Sequence, residues 1–462
     1  MGKGLIPAAP RGLGKLFSRG DQARLREGLY HFPRVEGNKK TRLHLRLDPD
    51  GSGTLVINAS SILHLNPTAA LIAFHHFQGA GPTQIQSSVK DVFRGAPVDV
   101  LEEIALITAD LEAFIDADGK PVNTYSGIEI DSPYSHHPRA PYRMDLAITY
   151  RCNNDCPHCY NARSRSYPEL STRDWKEAID RLWEINIPHL IFTGGEPTLR
   201  DDLVELIGYA EGKGQITGLN TNGRRLKDKK FLSALIDAGL DHVQITLESH
   251  HPQIHDQMVN HQGAWKETIA GLKNCLDSSL YVMTNTTMLH NNRDSLGETL
   301  DFLAEVGVPT VGLNALIYAG RGKDVGTGLQ EEELEPILKM AQEKTQAQGQ
   351  KLIWYTPTLY CHFNPMAMGL GIKGCTAALY NMCVEPDASV IPCQSYYQPL
   401  GNLLTDSWKT IWEHDLALQL RERKYVPAEC HTCSLLEECG AGCPLAYADH
   451  PREVKPTIPP AT

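Results

Sequence analysis

The sequence predicts an α/β protein built around a parallel sheet that is rolled into a partial (β/α)6 barrel. Six short apolar segments alternate with amphipathic segments from residue 142 onward, a pattern typical of parallel sheets. Residues 41–116 carry a hairpin pattern followed by helical segments, which predicts a winged-helix-like α+β domain. Seven of the 12 cysteines lie in the 69 residues from Cys375 to Cys443, which predicts a cysteine-rich domain after the barrel.

Composition and net charge indicate which partners and which location to expect. The 462 residues carry a formal net charge of -11, and the 44 lysines and arginines form no basic block, so we expect no nucleic acid partner. No run of roughly 18 apolar residues occurs, and residues 1–20 lack the apolar core of a signal peptide, so we expect no membrane span and no export. Many cysteines without a secretion signal indicate a cytoplasmic protein with metal sites.

The pattern divides the chain into six parts. Residues 117–141 are assigned as a linker, because they are rich in proline and turn-forming residues. The parts are an N-terminal extension (1–40), the α+β domain (41–116), the linker (117–141), the partial barrel (142–345), the cysteine-rich domain (346–450) and a tail (451–462).

Local signals place the elements of the small domain. Alternating leucines over 43–47 and a strand over 55–57 flank a turn at 48–51, which predicts a hairpin. A third strand over 62–65 ends at Asn66, an N-cap that precedes a proline and the first helix.

Two more helices complete the small domain. One begins at Pro82, and the other is capped by Asp99. In the barrel, the predicted strands cover residues 146–149, 189–192, 216–220, 243–247, 280–287 and 310–315.

The stretch RCNNDCPHCYN, residues 151–161, follows the first barrel strand. It places Cys152, Cys156 and Cys159 at spacing C-x3-C-x2-C, which indicates a metal site rather than disulfides. Three thiolates leave one iron of a four-iron cube open to another ligand. The alternative interpretation is a zinc knuckle completed by a residue such as His158.

This motif, followed by the aromatic Tyr160, resembles the signature of the radical S-adenosylmethionine (SAM) enzymes. The resemblance implies a 4Fe–4S cluster whose open iron chelates the amino and carboxylate groups of SAM. It also implies that one electron passes into the sulfonium and a 5'-deoxyadenosyl radical is released, with Tyr160 near the cofactors.

A second motif, TGGEP, follows the second barrel strand. Gly194 and Gly195 allow close approach of the backbone, and the carboxylate of Glu196 can accept from an ammonium group. The motif resembles the GGE sequence of the same family, which implies binding of the SAM amino group.

Further positions resemble the family less specifically. Thr246 and Glu248 lie where the family contacts the SAM ribose. Asn220, Asn222, the pair Asn291 and Asn292, and residues 318–321 fall near family positions around SAM. We interpret His250, His251 and His255 as surface histidines of a solvated loop.

The C-terminal cysteines resemble the SPASM domain. The resemblance rests on the spacing C-x2-C-x5-C-x3-C and on the stretches IPCQSYYQPLGNLL and ECGAGCP, and it implies two auxiliary 4Fe–4S clusters. Its threading gives the first cluster Cys375, Cys383, Cys393 and Cys443, and the second cluster Cys430, Cys433 and Cys439.

The fourth ligand of the second cluster stays open, because no cysteine follows Cys443. The candidates are Glu438, Asp449, His450 and Cys361, or an open site. Structural zinc is the alternative for this region, and apart from that candidacy both Cys275 and Cys361 are expected to be ordinary core or surface thiols.

The stretch LHLNPTAALIAFHHFQGAGPTQIQ and its surroundings resemble the PqqD-like peptide-recognition domain of pyrroloquinoline quinone biosynthesis. The resemblance implies that a leader peptide adds a strand to residues 62–65 and rests against the third helix. The alternatives are a purely structural or a DNA-binding winged domain.

These resemblances together predict a radical SAM/SPASM enzyme that oxidatively modifies a ribosomally made precursor peptide by thioether or carbon–carbon cross-linking. An electron donor of the flavodoxin or ferredoxin type is implied. One alternative is a SPASM oxidase of the sulfatase-maturase or cofactor-biosynthesis type. The other is an iron–sulfur redox sensor whose winged domain binds DNA. We assign no hydrogen donor or base from the sequence.

Overall fold

The computed structural model describes residues 25–36, 39–58, 61–93, 99–116 and 138–448. The chain divides into two compact units, one formed by Met1–His136 with Trp183–Pro188 and the other by His137–Leu182 with His189–Thr462. Nearly all of the predicted linker lies outside the described residues, as do Asp449 and His450.

The N-terminal unit is an antiparallel sheet with three helices in the described residues. Its strands pair in the order β1-β2-β3-β4. The elements are β1 (Gly28–Glu36), β2 (Lys39–Leu47), β3 (Gly53–Ile57), β4 (Ser61–Leu65), α1 (Pro67–Phe77), α2 (Pro82–Val92) and α3 (Leu101–Asp116).

Local signals placed most of this unit correctly. Asn66 accepts from the backbone N–H of Ala69 at 2.9 Å, which confirms it as the N-cap of α1. Asp99 accepts from the N–H of Leu101 at 3.1 Å at the start of α3. Leucines of β2 and β3 pair across the sheet and pack on the helices to form the core.

Strand β1 was missed, since it lies in the stretch assigned to the N-terminal extension. It pairs along its whole length with β2 at one end of the sheet. Pro33 interrupts its strand pattern, and proline is tolerated there because an edge strand needs fewer backbone donors.

The second unit is organised by a ten-stranded open sheet in the described residues, with no closed barrel. The six expected strands are present. They are β5 (Arg143–Thr149), β6 (His189–Gly194), β7 (Ile216–Thr221), β8 (His242–Thr246), β9 (Tyr281–Thr287) and β10 (Thr310–Asn314).

The sheet extends beyond these six strands on both sides. A parallel strand, β11 (Lys351–Trp354), follows β10. On the other side, β12 (Asn381–Val384) pairs in parallel with β5, and β13 (Ser389–Ile391) and β14 (Gly401–Asn402) continue antiparallel. The cysteine-rich segment therefore shares the sheet that the predicted barrel forms.

Amphipathic helices connect the strands. Helix α4 buries Trp175, Ala178, Ile179 and Leu182 as its spacing predicts. The helices are α4 (Thr172–Glu184), α5 (Leu203–Lys213), α6 (Lys229–Asp237), α7 (Pro252–Met258), α8 (Ala264–Leu276), α9 (Leu296–Val306), α10 (Glu331–Ala347), α11 (Trp408–Trp412), α12 (Asp415–Arg421), α13 (Leu436–Cys439) and α14 (Leu445–Ala448).

Candidate active site at the strand ends

A cavity of about 1070 Å³ opens where β5 to β10 end. Its lining includes the last residues of β6 to β10 and the loop that follows β5. Cys152, Cys156 and Cys159 all line it, as expected for a ligand site at the carboxyl ends of parallel strands.

The backbone of the cysteine loop donates to one of its own sulfurs. The backbone N–H of Asn154 donates to Cys152 Sγ at 3.4 Å. Burial raises the pKa of the Cys152 thiol to about 11, so metal binding must release its proton.

Two side chains beyond β7 hold the start of the loop. The Arg224 guanidinium donates to the carbonyl oxygen of Asn153 at 2.6 Å and to Asn154 Oδ1 at 2.8 Å. Asn222 Nδ2 donates to Asn153 Oδ1 at 2.6 Å. No sequence motif predicted the role of Arg224, because its partners are distant in the chain.

Two other contacts hold the end of the loop. His158 Nε2 lies 3.1 Å from Glu248 Oε1, just past β8. The backbone N–H of Arg321 donates to the carbonyl oxygen of Cys159 at 2.9 Å. The predicted SAM-site residue Glu248 and the segment 318–321 thus also anchor the cysteine loop.

The GGE motif packs directly on this loop. A Cβ on Gly194 would lie 2.0 Å from the Thr149 carbonyl oxygen, and one on Gly195 would lie 2.4 Å from that of Arg151. The N–H of Gly195 donates to the Thr149 carbonyl oxygen at 2.7 Å. The two glycines therefore bring the end of β6 against the loop after β5, and both line the cavity.

Glu196 is fully buried beneath the cavity wall. Its Oε1 accepts from the hydroxyls of Thr198 at 2.6 Å and Thr221 at 2.7 Å, and its Oε2 accepts from the N–H of Asn222 at 2.8 Å. Burial raises the pKa of this carboxyl, while these donors lower it. Contact between Glu196 and the SAM amino group stays a prediction.

Tyr160 joins the cysteine loop to the C-terminal cysteines. Its hydroxyl donates to Gln394 Oε1 at 2.6 Å, and Gln394 Nε2 donates to Asp145 Oδ2 at 2.7 Å. Because Gln394 follows Cys393, this chain of bonds links two cysteine segments through β5.

The remaining cysteines fall into separate groups. Cys375, Cys393 and Cys443 line the same cavity as the cysteine loop. Cys383 lies outside this lining, fully buried on β12 beside Tyr150. The residues Cys430, Cys433 and Cys439 lie beyond the lining, around α13. In the described residues no three of His, Cys, Asp and Glu are placed to hold a single metal ion.

Comparison with known proteins identifies the domains. Residues 146–303 match the radical SAM superfamily, and residues 375–434 match the SPASM iron-sulfur cluster-binding domain. The chain is a radical SAM enzyme with a SPASM domain. This assignment removes the alternative of a purely sensory iron–sulfur protein.

Curated relatives of the enzyme include a peptide cyclase and a heme synthase. It is 26% identical to the PqqA peptide cyclase of Rhizobium meliloti over 66% of this chain and 82% of that protein. It is 27% identical to the AdoMet-dependent heme synthase of Methanosarcina barkeri over 67% of this chain and 93% of that protein.

The fold of the enzyme is similar to that of a solved structure, Streptococcus suis SuiB bound to precursor peptide SuiA. The TM-score is 0.65 at 13% identity, over 89% of this chain and 95% of that chain.

Radical SAM and SPASM domains imply 4Fe–4S clusters and SAM. The cavity of the enzyme fits both. Its wall carries three cysteines of the loop, and Asn285 Oδ1 and Asn314 Oδ1 are buried acceptors without a hydrogen-bond partner among the described residues. Such acceptors suit a ligand with amino and hydroxyl donors.

The residues that resemble family positions around SAM less specifically differ in whether they line the cavity. Thr246, Asn220 and Asn222 line the cavity. Asn292 instead donates to the carbonyl oxygens of Glu248 at 2.8 Å and of Thr287 at 2.9 Å, which fixes the ends of β8 and β9.

The interpretation of His255 as a surface histidine is wrong. Its side chain is buried on α7, and its Nδ1 accepts from the N–H of Glu248 at 3.2 Å. Burial lowers the pKa of this imidazole, which keeps the ring neutral and Nδ1 able to accept.

In the described residues of the enzyme, no helix combines the length and apolar character that crossing a membrane requires.

Proposed function

We propose that this enzyme cleaves SAM reductively to a 5'-deoxyadenosyl radical and oxidatively modifies a ribosomally synthesised precursor peptide, by a thioether or a carbon–carbon cross-link. The observation that carries the peptide part is the position of two exposed apolar side chains. Ile62 on β4 is 42% exposed and Leu106 on α3 is 37% exposed, whereas the apolar residues around them form a buried core.

In a PqqD-like domain, a leader peptide would bind against these two elements, strand β4 and helix α3. Strand β4 ends the sheet, so its outer edge pairs with no other strand among the described residues. The backbone of an edge strand of this kind can pair with an extended peptide. Ile62 and Leu106 would add apolar contacts for the side chains of the leader.

The relatives support the same substrate class. One curated relative is a peptide cyclase, and the similar solved structure holds a precursor peptide. We therefore propose a PqqD-like recognition domain in residues 41–116, joined through the linker 117–141 to the radical SAM and SPASM domains. A cytoplasmic location and an electron donor of the flavodoxin or ferredoxin type belong to this proposal.

Residues in the cavity and outside its lining are assigned to the cofactors as part of the proposal. The thiolates of Cys152, Cys156 and Cys159 would hold the cluster that supplies an electron to SAM. SAM would lie against Tyr160, Gly194, Gly195, Glu196, Thr246 and Glu248. The auxiliary clusters would be held by Cys375, Cys383, Cys393 and Cys443 and by Cys430, Cys433 and Cys439.

Each group of residues has a task in this assignment. The loop contacts from Arg224 and Glu248 fix the positions of the thiolates. The walls of the cavity would exclude water from a reactive carbon radical. Cys375, Cys393 and Cys443 share the cavity, so an auxiliary cluster there lies where it can accept an electron from an oxidised substrate.

The test uses the short peptide encoded beside this gene, incubated anaerobically with reconstituted enzyme, SAM and reductant. We expect a mass loss of two hydrogens that depends on Cys152. Replacing Ile62 and Leu106 by Asp should leave SAM cleavage without peptide unchanged and weaken peptide binding. Burying an Ile side chain is worth about 1.5–3 kcal/mol, which corresponds to about a tenfold to hundredfold change in Kd.

Met366→Asp serves as the matched control, because Met366 is 41% exposed in the other unit. Its peptide affinity should equal that of the wild type. Unchanged peptide turnover in the Ile62→Asp/Leu106→Asp variant would refute leader recognition by this domain.

A second candidate is a cofactor-pathway oxidase, which the similarity to AdoMet-dependent heme synthase favours. In that case 5'-deoxyadenosine would form with no change in the peptide mass and no deuterium uptake from heavy water. Addition of an iron porphyrin would then stimulate SAM cleavage, whereas a peptide maturase should show no stimulation.

A further inference from the structure

The group Cys430, Cys433 and Cys439 offers three thiolates, whereas a cube held only by protein takes four. No cysteine follows Cys443 in the sequence. A thiolate from another part of the fold would complete the set of four.

One segment after β11 passes beside Cys439. The backbone N–H of Tyr360 donates to Cys439 Sγ at 3.4 Å, and the Cys439 thiol donates to the carbonyl oxygen of Thr358 at 3.6 Å. A Cβ on Gly442 would lie 3.4 Å from the Thr358 carbonyl carbon, an ordinary van der Waals distance. The backbone before Cys361 is thus packed against the turn that carries Cys439.

Cys361 extends this contact to the rest of the group. Its side chain packs against a buried cluster that contains Cys430. Cys439, Cys361 and Cys433 all lie near enough to Cys430 to interact with it electrostatically.

The turn after α13 also directs backbone donors at a sulfur. Gly440, Ala441 and Gly442 have φ values of 58°, 59° and 72°. The backbone N–H groups of Tyr360, Ala441 and Gly442 all donate to the Cys439 sulfur. Hydrogen bonds of this kind stabilise thiolates that bind iron.

Glu438 is the competing ligand among the described residues. Its Oε2 is buried without a hydrogen-bond partner there. Iron–sulfur clusters take thiolate ligands in preference to carboxylates. A nearby cysteine thiolate is therefore a better fourth ligand than the Glu438 carboxylate.

We infer that Cys361 supplies the fourth thiolate and closes the second auxiliary cluster with Cys430, Cys433 and Cys439. This inference rests on the proposed cluster at those three cysteines. None of the four lines the cavity, so the closed cluster transfers electrons and has no open iron for substrate.

The test compares reconstituted Cys361→Ala and Cys361→Ser with the wild type in the background Cys152→Ala/Cys156→Ala/Cys159→Ala. Iron and sulfide are counted, and Mössbauer and EPR spectra are recorded before and after mild oxidation. Without its fourth thiolate the cluster should lose about one iron per chain and give the signal of a three-iron cluster.

Glu438→Gln and Cys275→Ala are the controls, and both should retain the iron content and spectra of the background protein. Spectra identical to those of the background protein in both Cys361 variants would overturn the inference. Loss of iron in Glu438→Gln, with no loss in the Cys361 variants, would also overturn it. These readouts do not involve a peptide, so failure of the proposed peptide chemistry is recognised separately. A background protein without any iron would instead refute the auxiliary clusters themselves.

Discussion

His158 Nε2 lies 3.1 Å from Glu248 Oε1, and this contact joins the cysteine loop to the end of β8. The other carboxylate oxygen accepts from the backbone N–H of Thr287 at 2.9 Å, at the end of β9. Glu248 is buried and lines the cavity. One carboxylate therefore holds the loop and two strand ends in register.

We predict that Glu248→Ala lowers both stability and SAM cleavage. The change leaves the buried Thr287 N–H without its acceptor, at a cost of about 1–3 kcal/mol. It also frees His158, so the thiolates of the loop are less well positioned. Glu248→Gln should lose less, since an amide oxygen can still accept from Thr287.

Thermal unfolding and the yield of 5'-deoxyadenosine measure these effects. Glu298→Gln is the control, because Glu298 is an exposed glutamate of the same unit. A Glu248→Ala enzyme with wild-type cleavage would show that the loop does not depend on this contact.

Gly195 provides a second prediction. An added methyl would lie 2.4 Å from the Arg151 carbonyl oxygen, and backbone cannot give way as a flexible side chain can. Forcing atoms into a packed site costs about 1–3 kcal/mol. Gly195→Ala should therefore displace the loop and reduce the iron bound there.

Gly212→Ala is the matched control. A Cβ at this position of α5 meets no atom within 4 Å, so the change should be neutral or stabilise by up to about 1 kcal/mol. Iron analysis of both variants checks the prediction. Equal iron in Gly195→Ala and wild type would contradict it.

Local signals were enough to place most elements from the sequence. Caps such as Asn66 and alternating leucines act within a few residues, so they appear in a single sequence. Strand β1 escaped because Pro33 breaks its pattern. The pairing of β12 with β5 joins residues more than 200 positions apart, and no local pattern encodes it.

The candidate site likewise combines features that local sequence predicts with tertiary contacts that it does not. Cysteine spacing identified the loop, but its supports are tertiary contacts. Arg224 contacts Asn153, and Glu248 contacts His158, across long stretches of chain. The glycines of the GGE motif were predicted for their closeness to a ligand. A Cβ on either glycine would instead meet the backbone at the end of β5 or just after it.

A third prediction concerns Glu112, which fastens α3 to the strand that the sequence did not reveal. Arg34 on β1 donates to both carboxylate oxygens, at 2.5 and 2.8 Å. The hydrogen bond from Arg34 lowers the pKa of Glu112, against the effect of burial, and His76 lowers it further. A lowered carboxyl pKa contributes stability above the ordinary value of 4.5, and this is lost as pH falls through the lowered pKa.

Glu112→Gln should therefore speed hydrogen exchange in β1 at pH 7.5. The pair is partly exposed, so we expect at most about 1 kcal/mol, or about a fivefold change in rate. The difference from wild type should narrow below pH 4.5. Glu102→Gln on the same helix is the control and should leave exchange in β1 unchanged. If Glu112→Gln speeds exchange equally at all pH values, the ion pair is excluded as the cause.

The last prediction separates the clusters. Replacing Cys152, Cys156 and Cys159 by Ala should remove about four irons per chain and abolish formation of 5'-deoxyadenosine. Auxiliary iron should remain, because the cysteines proposed to hold it all lie in segments after β11. Cys275→Ala, which removes a buried thiol from α8, should change neither quantity. Continued formation of 5'-deoxyadenosine by the triple variant would show that SAM is cleaved elsewhere in the protein.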